Sequence, residues 1–168
     1  MATKHRATIF LRHTISPALQ SISSNKFPTW SPAAEELLLG TAIVESDLQF
    51  RKQHGDGPAR GLFQMEPATH NDIWDNFLKY RPGLAEAIGK LITPTGTDKL
   101  VALEKNDKYA CAMARVHYLR APTPLPREGD VLAMAKYWKR YYNTYAKNAK
   151  GAPEKYIEKW NETMSGKL

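Results

Sequence analysis

The group in this sequence best suited to moving a proton is a single glutamate at the end of an apolar run. Glu45 follows Leu37-Leu38-Leu39-Gly40-Thr41-Ala42-Ile43-Val44 and precedes a polar loop, Gln53-His54-Gly55-Asp56-Gly57-Pro58. A carboxyl group at the end of a buried helix is poorly hydrated on one side, and desolvation penalises its charged form. Its pKa is expected to rise, so that the acid keeps its proton nearer neutrality, as a general acid must. Alone, Glu45 reads as an ordinary helix-terminal glutamate in solvent, slightly disfavoured by the helix dipole. Further along the chain it is followed by the turn Gly61-Leu62-Phe63-Gln64.

That pairing has a family likeness. Glu45-Ser46, then Ala59-Arg60-Gly61-Leu62-Phe63-Gln64-Met65 with Pro67 and Thr69, resembles the signature of the soluble lytic transglycosylase and goose-type lysozyme superfamily. There a catalytic Glu-Ser is followed by a Gly-Leu-Met-Gln turn and a Pro-x-Thr. Phe63 stands in place of the usual Met, an apolar change of compatible volume. Downstream, Ala135-Lys136-Tyr137-Trp138 and Tyr141-Tyr142-Asn143-Thr144 resemble the family's Ala-Tyr-Asn-Ala-Gly element without its final Ala-Gly. The likeness runs from Ser31 to Trp160, and its wording is most similar to the muramidases of tailed bacteriophages.

The resemblance implies a mainly α, lysozyme-like catalytic domain over residues 31–168, with residues 1–30 as an N-terminal helix and lead-in packed on it. It implies cleavage of the β-1,4 bond between N-acetylmuramic acid and N-acetylglucosamine, with Glu45 as general acid and base. Peptidoglycan strands are then the partner, with phage virion or tail proteins as further partners. The site of action is the bacterial wall in the periplasm, and no cofactor is required. The muramic acid's own 6-hydroxyl attacks in a lytic transglycosylase, which gives a 1,6-anhydro product and needs no second acid. This is the expected reaction.

Hydrolysis of the lysozyme type needs a second carboxylate, and two acids offer themselves. Asp56 in the glycine loop and Glu66 after Gln64-Met65 look like the acidic positions of goose-type lysozymes. Each also reads blandly, Asp56 as a turn-former and Glu66 as a surface or helix-entering charge. Ser46 is expected to orient Glu45 or a substrate group, or else to bond its own helix backbone. By resemblance Gln64 and Phe63 belong to the sugar-binding turn, although Gln64 equally suits a bridge from loop to helix. Tyr142 and Asn143 stand at the family's Tyr-Asn, where the tyrosine hydroxyl approaches the catalytic Glu. Aromatic faces stack on sugar rings, but a tyrosine on a core stripe with its hydroxyl in water is the plainer reading.

The elements that must carry these groups read as helices throughout. Ile9–Ile22 has Ile15, Leu19 and Ile22 on one face. Ser31 is a good N-cap, Pro32 suits the first turn, and the helix runs to Glu45 or Ser46. Thr69 is expected to cap a helix through Ile73, Trp74, Phe77 and Leu78. A short helix follows over Leu84–Leu91, and Thr97 or Asp98 caps the next. Helices over Asp107–Leu119, from Asp130 through Tyr142, and from Pro153 through Trp160 complete the chain. A small β-hairpin is allowed for between Asp47 and Leu62.

Composition narrows the classes without choosing among partners. The 168 residues are 42% hydrophobic and 24% charged, with a net charge of +7. That suits one domain with a substantial core. The charge attracts any anionic polymer, and Lys136, Lys139, Arg140, Lys147 and Lys150 with interleaved tyrosines allow a nucleic-acid-binding reading. No recognition-helix motif supports it, so no specific nucleic acid is expected. A catalytically silent virion component is the other alternative. No apolar run of spanning length occurs, and the N-terminal twenty residues, broken by Arg12 and His13, fail as a secretory signal. Export is therefore expected to depend on something else. Cys111, the only cysteine, reads as a buried inert thiol. His5, His13, His54, His70 and His117 form no metal-ligand spacing, so no metal site is expected.

Overall fold

The computed structural model describes residues 1–53, 55–143 and 152–166. His54, Thr144, Lys147 and Lys150 lie outside them. The chain is a mainly helical single domain. Its helices are α1 (Lys4–Phe10), α2 (Ser16–Ile22), α3 (Pro32–Ser46), α4 (Pro67–Asn76), α5 (Pro82–Gly89), α6 (Lys99–Lys105), α7 (Asp107–Leu119), α8 (Val131–Tyr141) and α9 (Pro153–Met164). A π-helical stretch, Leu11–Ile15, joins α1 to α2, and a 3₁₀ turn, Leu78–Tyr80, joins α4 to α5. Among the described residues none of these helices is long and apolar enough to cross a membrane.

Two helices are buried on every side. α3 buries Ala34 and the whole run Leu37–Val44, and α7 buries Tyr109–Val116 together with Tyr118. A helix apolar all round must lie inside the domain; α3 and α7 are the centre, and the others clothe them. The N-terminal helical stretch belongs to the same core, through Phe10, Ile15, Leu19 and Ile22. Arg115 of α7, itself buried, donates from Nε to the Thr29 carbonyl at 2.7 Å. The Thr29 hydroxyl donates in turn to Leu19 O at 2.8 Å, which fastens the lead-in between α2 and α3.

Local chemistry sets the boundaries. Ser31 Oγ accepts from Ala34 N at 3.0 Å with Pro32 at the first helical position, as its composition predicts. Asp98 and Asp130 cap α6 and α8 in the same way. Four expectations are corrected. The N-terminal helix begins at Lys4, capped by Thr3, and is not uniformly α. Pro17 has no N–H to give, so Ser16 N reaches back five residues to Leu11 O and the ladder widens into a π turn. Pro67, not Thr69, opens α4: its missing N–H is one that a first helical turn leaves unpaired anyway. For the same reason Pro82 opens α5 two residues before the expected start. The region between Asp47 and Leu62 holds only isolated bridges, Lys52 to Arg60 and Arg60 to Met65, rather than a hairpin.

α9 closes over α3 where Gly40 makes room for it. A Cβ at Gly40 would run into the hydroxyl and ring of Tyr156. That hydroxyl is buried and has no hydrogen-bond partner among the described residues. Gly40→Ala should gain about 1 kcal/mol of helix propensity and lose more to overpacking, about 1–3 kcal/mol, so the net effect is destabilising. Tyr156→Phe should be neutral or stabilising, because it removes an unsatisfied polar group. Urea unfolding of the double variant should then show part of the Gly40→Ala loss recovered.

Candidate functional site

Glu45 occupies the last turn of α3, where the helix leaves the core. The helix stops one residue later because Asp47 and Leu48 both turn left-handed, at φ 51° and 55°. Asp47 is held there by Lys159 of α9, whose Nζ donates to both carboxylate oxygens at 2.9 and 3.0 Å. The turn sets the Glu45 side chain between the core and a cleft lined also by Gln53, Gln64, Glu66, His117, Tyr142 and Asn143. Burial pushes its pKa above the ordinary carboxylate range. The Trp138 and Asn143 N–H groups oppose that shift, as do the charges of Lys155 and Lys139, without reversing it.

The hydrogen bonds to Glu45 fall on one of its two oxygens. Trp138 Nε1 donates to Glu45 Oε1 at 2.9 Å, and Asn143 Nδ2 lies 3.5 Å from the same oxygen. An indole nitrogen only donates, so Oε1 must be an acceptor. The amide of Asn143 is oriented by Lys139, whose Nζ donates to Asn143 Oδ1 at 3.1 Å and leaves Nδ2 for the glutamate. Oε2 is thus the carboxyl oxygen with no donor among the described residues, and a proton carried there leaves both N–H contacts to Oε1 undisturbed. When it departs, two N–H donors already face the oxygen that shares the negative charge.

The turn expected to complete the site is built by backbone constraint. Arg60 and Met65 exchange N–H···O bonds at 2.9 and 3.2 Å, and Gly61 N donates to Arg51 O at 2.8 Å. Gly61 is required twice over: its φ is +73°, and a Cβ there would strike the Leu103 carbonyl. Gln64 is also left-handed, at φ 47°, which is uncommon for a residue with a side chain. It is held by its own Nε2–H, which donates to Gly61 O at 2.9 Å. Its amide thus bridges the turn as well as lining the cleft.

Two hydroxyls dock this turn onto the helices. Ser46 Oγ, buried, lies 2.7 Å from Leu62 O and 3.0 Å from Ala42 O, so its proton is spent on backbone. Of the two readings of Ser46, the bond to its own helix backbone is the one present; its hydroxyl does not bond to Glu45, and it is not among the residues lining the cleft. Tyr142 donates its hydroxyl to Phe63 O at 2.7 Å. It lies near enough to Glu45 for that charge to raise its own pKa, although burial raises it more. Phe63 itself is fully buried, with its ring 6.1 Å from that of Phe10. A direct substrate contact by Phe63 is ruled out; the ring anchors the turn in the core.

The second carboxylates part company. Glu66 is exposed and lines the cleft, whereas Asp56 sits at φ 58° in an exposed turn and is absent from the cleft lining. His117 was not singled out by its spacing, yet it lines the cleft with its ring edge-on to Tyr142, 5.1 Å between centroids. Burial, helped by the charge of Arg120, lowers its pKa to about 4, so the imidazole is neutral at pH 7. Trp138 was foreseen only as a neighbour of the tyrosines. Its one local signal is position, four and five residues before Tyr142 and Asn143 on the same helical end. Cys111 is buried with its thiol pKa pushed up, the state of an inert side chain. No group of three or more His, Cys, Asp or Glu side chains among the described residues is placed to hold a metal.

Two measurements test this arrangement. Trp138→Phe removes the donor that favours the Glu45 anion, so Glu45 should bind its proton roughly tenfold more tightly, read from the carboxyl ¹³C shift against pH. Glu45→Gln should become more stable than the parent as pH rises. A raised folded pKa means that the parent's proton-linked stability is complete below the unfolded value, about 4.3, and is lost as pH climbs to the folded value. The gap between parent and Glu45→Gln should widen by about 1.4 kcal/mol per pH unit across that window and be flat outside it.

No family model, no curated protein and no solved structure matches the chain.

Proposed function

We propose that the chain is a muramidase that cuts the β-1,4 bond between N-acetylmuramic acid and N-acetylglucosamine, acting as a lytic transglycosylase. The observation that carries this reading is the desolvated Glu45 carboxyl at a cleft, its pKa raised, with two N–H donors on Oε1 and none among the described residues on Oε2. The motif likeness around the Gly61–Gln64 turn supplies the substrate class.

Each step uses groups already described. Glu45 Oε2–H protonates the bridging oxygen as the bond from that oxygen to the muramic C1 breaks, leaving an oxocarbenium-like centre. The Glu45 anion formed at that moment is held by the Trp138 and Asn143 N–H groups, whose geometry needs no rearrangement. The same carboxylate then takes the proton of the muramic 6-hydroxyl as that oxygen bonds to C1. The 1,6-anhydro ring closes, and Glu45 is neutral again. A site that starts each cycle with a protonated acid and ends with one needs no second carboxylate.

One observation favours a second reading. Glu66 lines the same cleft, as Asp56 does not, and is the second carboxylate that hydrolysis would use. Mass spectrometry of digested sacculi separates the two: anhydro-muropeptides support the transglycosylase, and products one water heavier support the hydrolase. Glu66→Gln should leave the anhydro product in place under the first reading and abolish cleavage under the second.

Glu45→Gln should lower clearing of purified sacculi by about 10²–10⁴-fold, the usual worth of a positioned general acid, with the helical circular-dichroism spectrum intact. Activity should fall on the alkaline side as Glu45 loses its proton, and Trp138→Phe should move that limb to higher pH. A Glu45→Gln variant that clears sacculi at the parent's rate ends the proposal.

A further inference from the structure

A second cleft continues from the first, and its lining differs in kind. Glu66, Thr69 and His117 line both clefts; beyond them the wall is built by Asp72, Arg120, Pro122, Arg140 and Tyr141. The Arg120 Nη1 donates to Asp72 Oδ2 at 2.6 Å, so that pair is mutually neutralised. Arg140 has no carboxylate partner among the described residues. Its guanidinium lies over the Tyr141 ring, 5.2 Å from the centroid, and Tyr141 is itself held edge-on to Tyr137 at 4.6 Å and receives the Thr123 hydroxyl at 3.0 Å. Among the described residues the cation thus has no carboxylate partner; it is presented on a fixed aromatic plate and lies beside the Glu45 cleft.

We infer that this second cleft receives the carboxylate-bearing peptide stem of the glycan strand, with Arg140 as its specificity-determining residue. The inference rests on the muramidase reading above. The sugars of that polymer are neutral where the stem is attached, and its ionic groups lie on the peptide. An ionic cleft joined to a sugar cleft therefore matches the branch rather than the backbone. A guanidinium binds a carboxylate through two parallel N–H···O bonds, and the Arg120–Asp72 ion pair beside it gives a mixed-charge wall for a stem that carries an amine as well. Pro122 and Ala121 supply small apolar contacts for alanine side chains.

The test compares intact sacculi with glycan strands stripped of peptide by an amidase, using the parent and Arg140→Gln. The parent should show a higher kcat/KM on peptide-bearing strands. Arg140→Gln should reduce the ratio of the two kcat/KM values by roughly fivefold to tenfold, the worth of a partly exposed charged hydrogen bond. A ratio that is unchanged in Arg140→Gln overturns the inference. Calorimetric titration with free stem tetrapeptide gives a readout without catalysis: the parent should bind it, more weakly at high salt, and Arg140→Gln should bind it several-fold more weakly still. Equal binding by the two proteins also overturns the inference. A parent that cuts neither substrate ends the muramidase reading, and the titration then decides the cleft by itself.

Discussion

The site depends on removing one carboxyl group from water. Burying an unpaired carboxylate is costly, and a helix C-terminus adds repulsion rather than relief. Burial favours the protonated form of Glu45, and its neighbours are those that a protonated acid tolerates. Trp138 and Asn143 contribute N–H groups on one oxygen, and Lys139 acts through the Asn143 amide instead of pairing with the carboxylate directly. A lysine in direct contact would favour the ionised form. In the observed arrangement the N–H donors are near and the cations further off, so burial outweighs the groups that favour the anion.

The framework around Glu45 is correspondingly rigid. α3 and α7 are buried on all sides, and Thr41 of α3 meets Tyr118 of α7 hydroxyl to hydroxyl at 2.7 Å, one turn below the glutamate. Tyr118 stacks at 5.2 Å on Tyr142, and Tyr142 borders the cleft. A chain of aromatic rings therefore runs from the centre of the domain to the site. Displacement of α7 would be felt at the residue that roofs the acid.

The sequence made the helices legible where a capping side chain or a proline marks an end. Ser31, Asp98, Asp130 and Pro153 act within three residues of themselves, so their effect is visible in a short window. Glu45 was legible for the same reason: its apolar run precedes it directly. What could not be read is long-range or subtractive. The Trp138 bond to Glu45 joins residues 93 apart. The depth of Phe63 depends on Phe10, and the partners of the Ser46 hydroxyl depend on where the later turn docks. The π turn follows from a hydrogen bond that Pro17 cannot make, and a missing donor leaves no apolar pattern to detect. Thr69 had the right chemistry for a cap but lost to Pro67, whose ring already fixed the first turn.

Two adjacent carbonyls in the Gly61–Gln64 turn answer to different helices. Leu62 O is held by Ser46 at the end of α3, and Phe63 O by Tyr142 just past α8. The turn acts as a gauge block whose thickness is one peptide unit, and it fixes the gap between the strut bearing the acid and the strut bearing its N–H donors. Conservative exchange of side chains in this segment leaves the gauge unaltered. Adding or deleting a single residue would offer each hydroxyl the wrong carbonyl, so the length of this segment is as tightly constrained as the glycine that opens it.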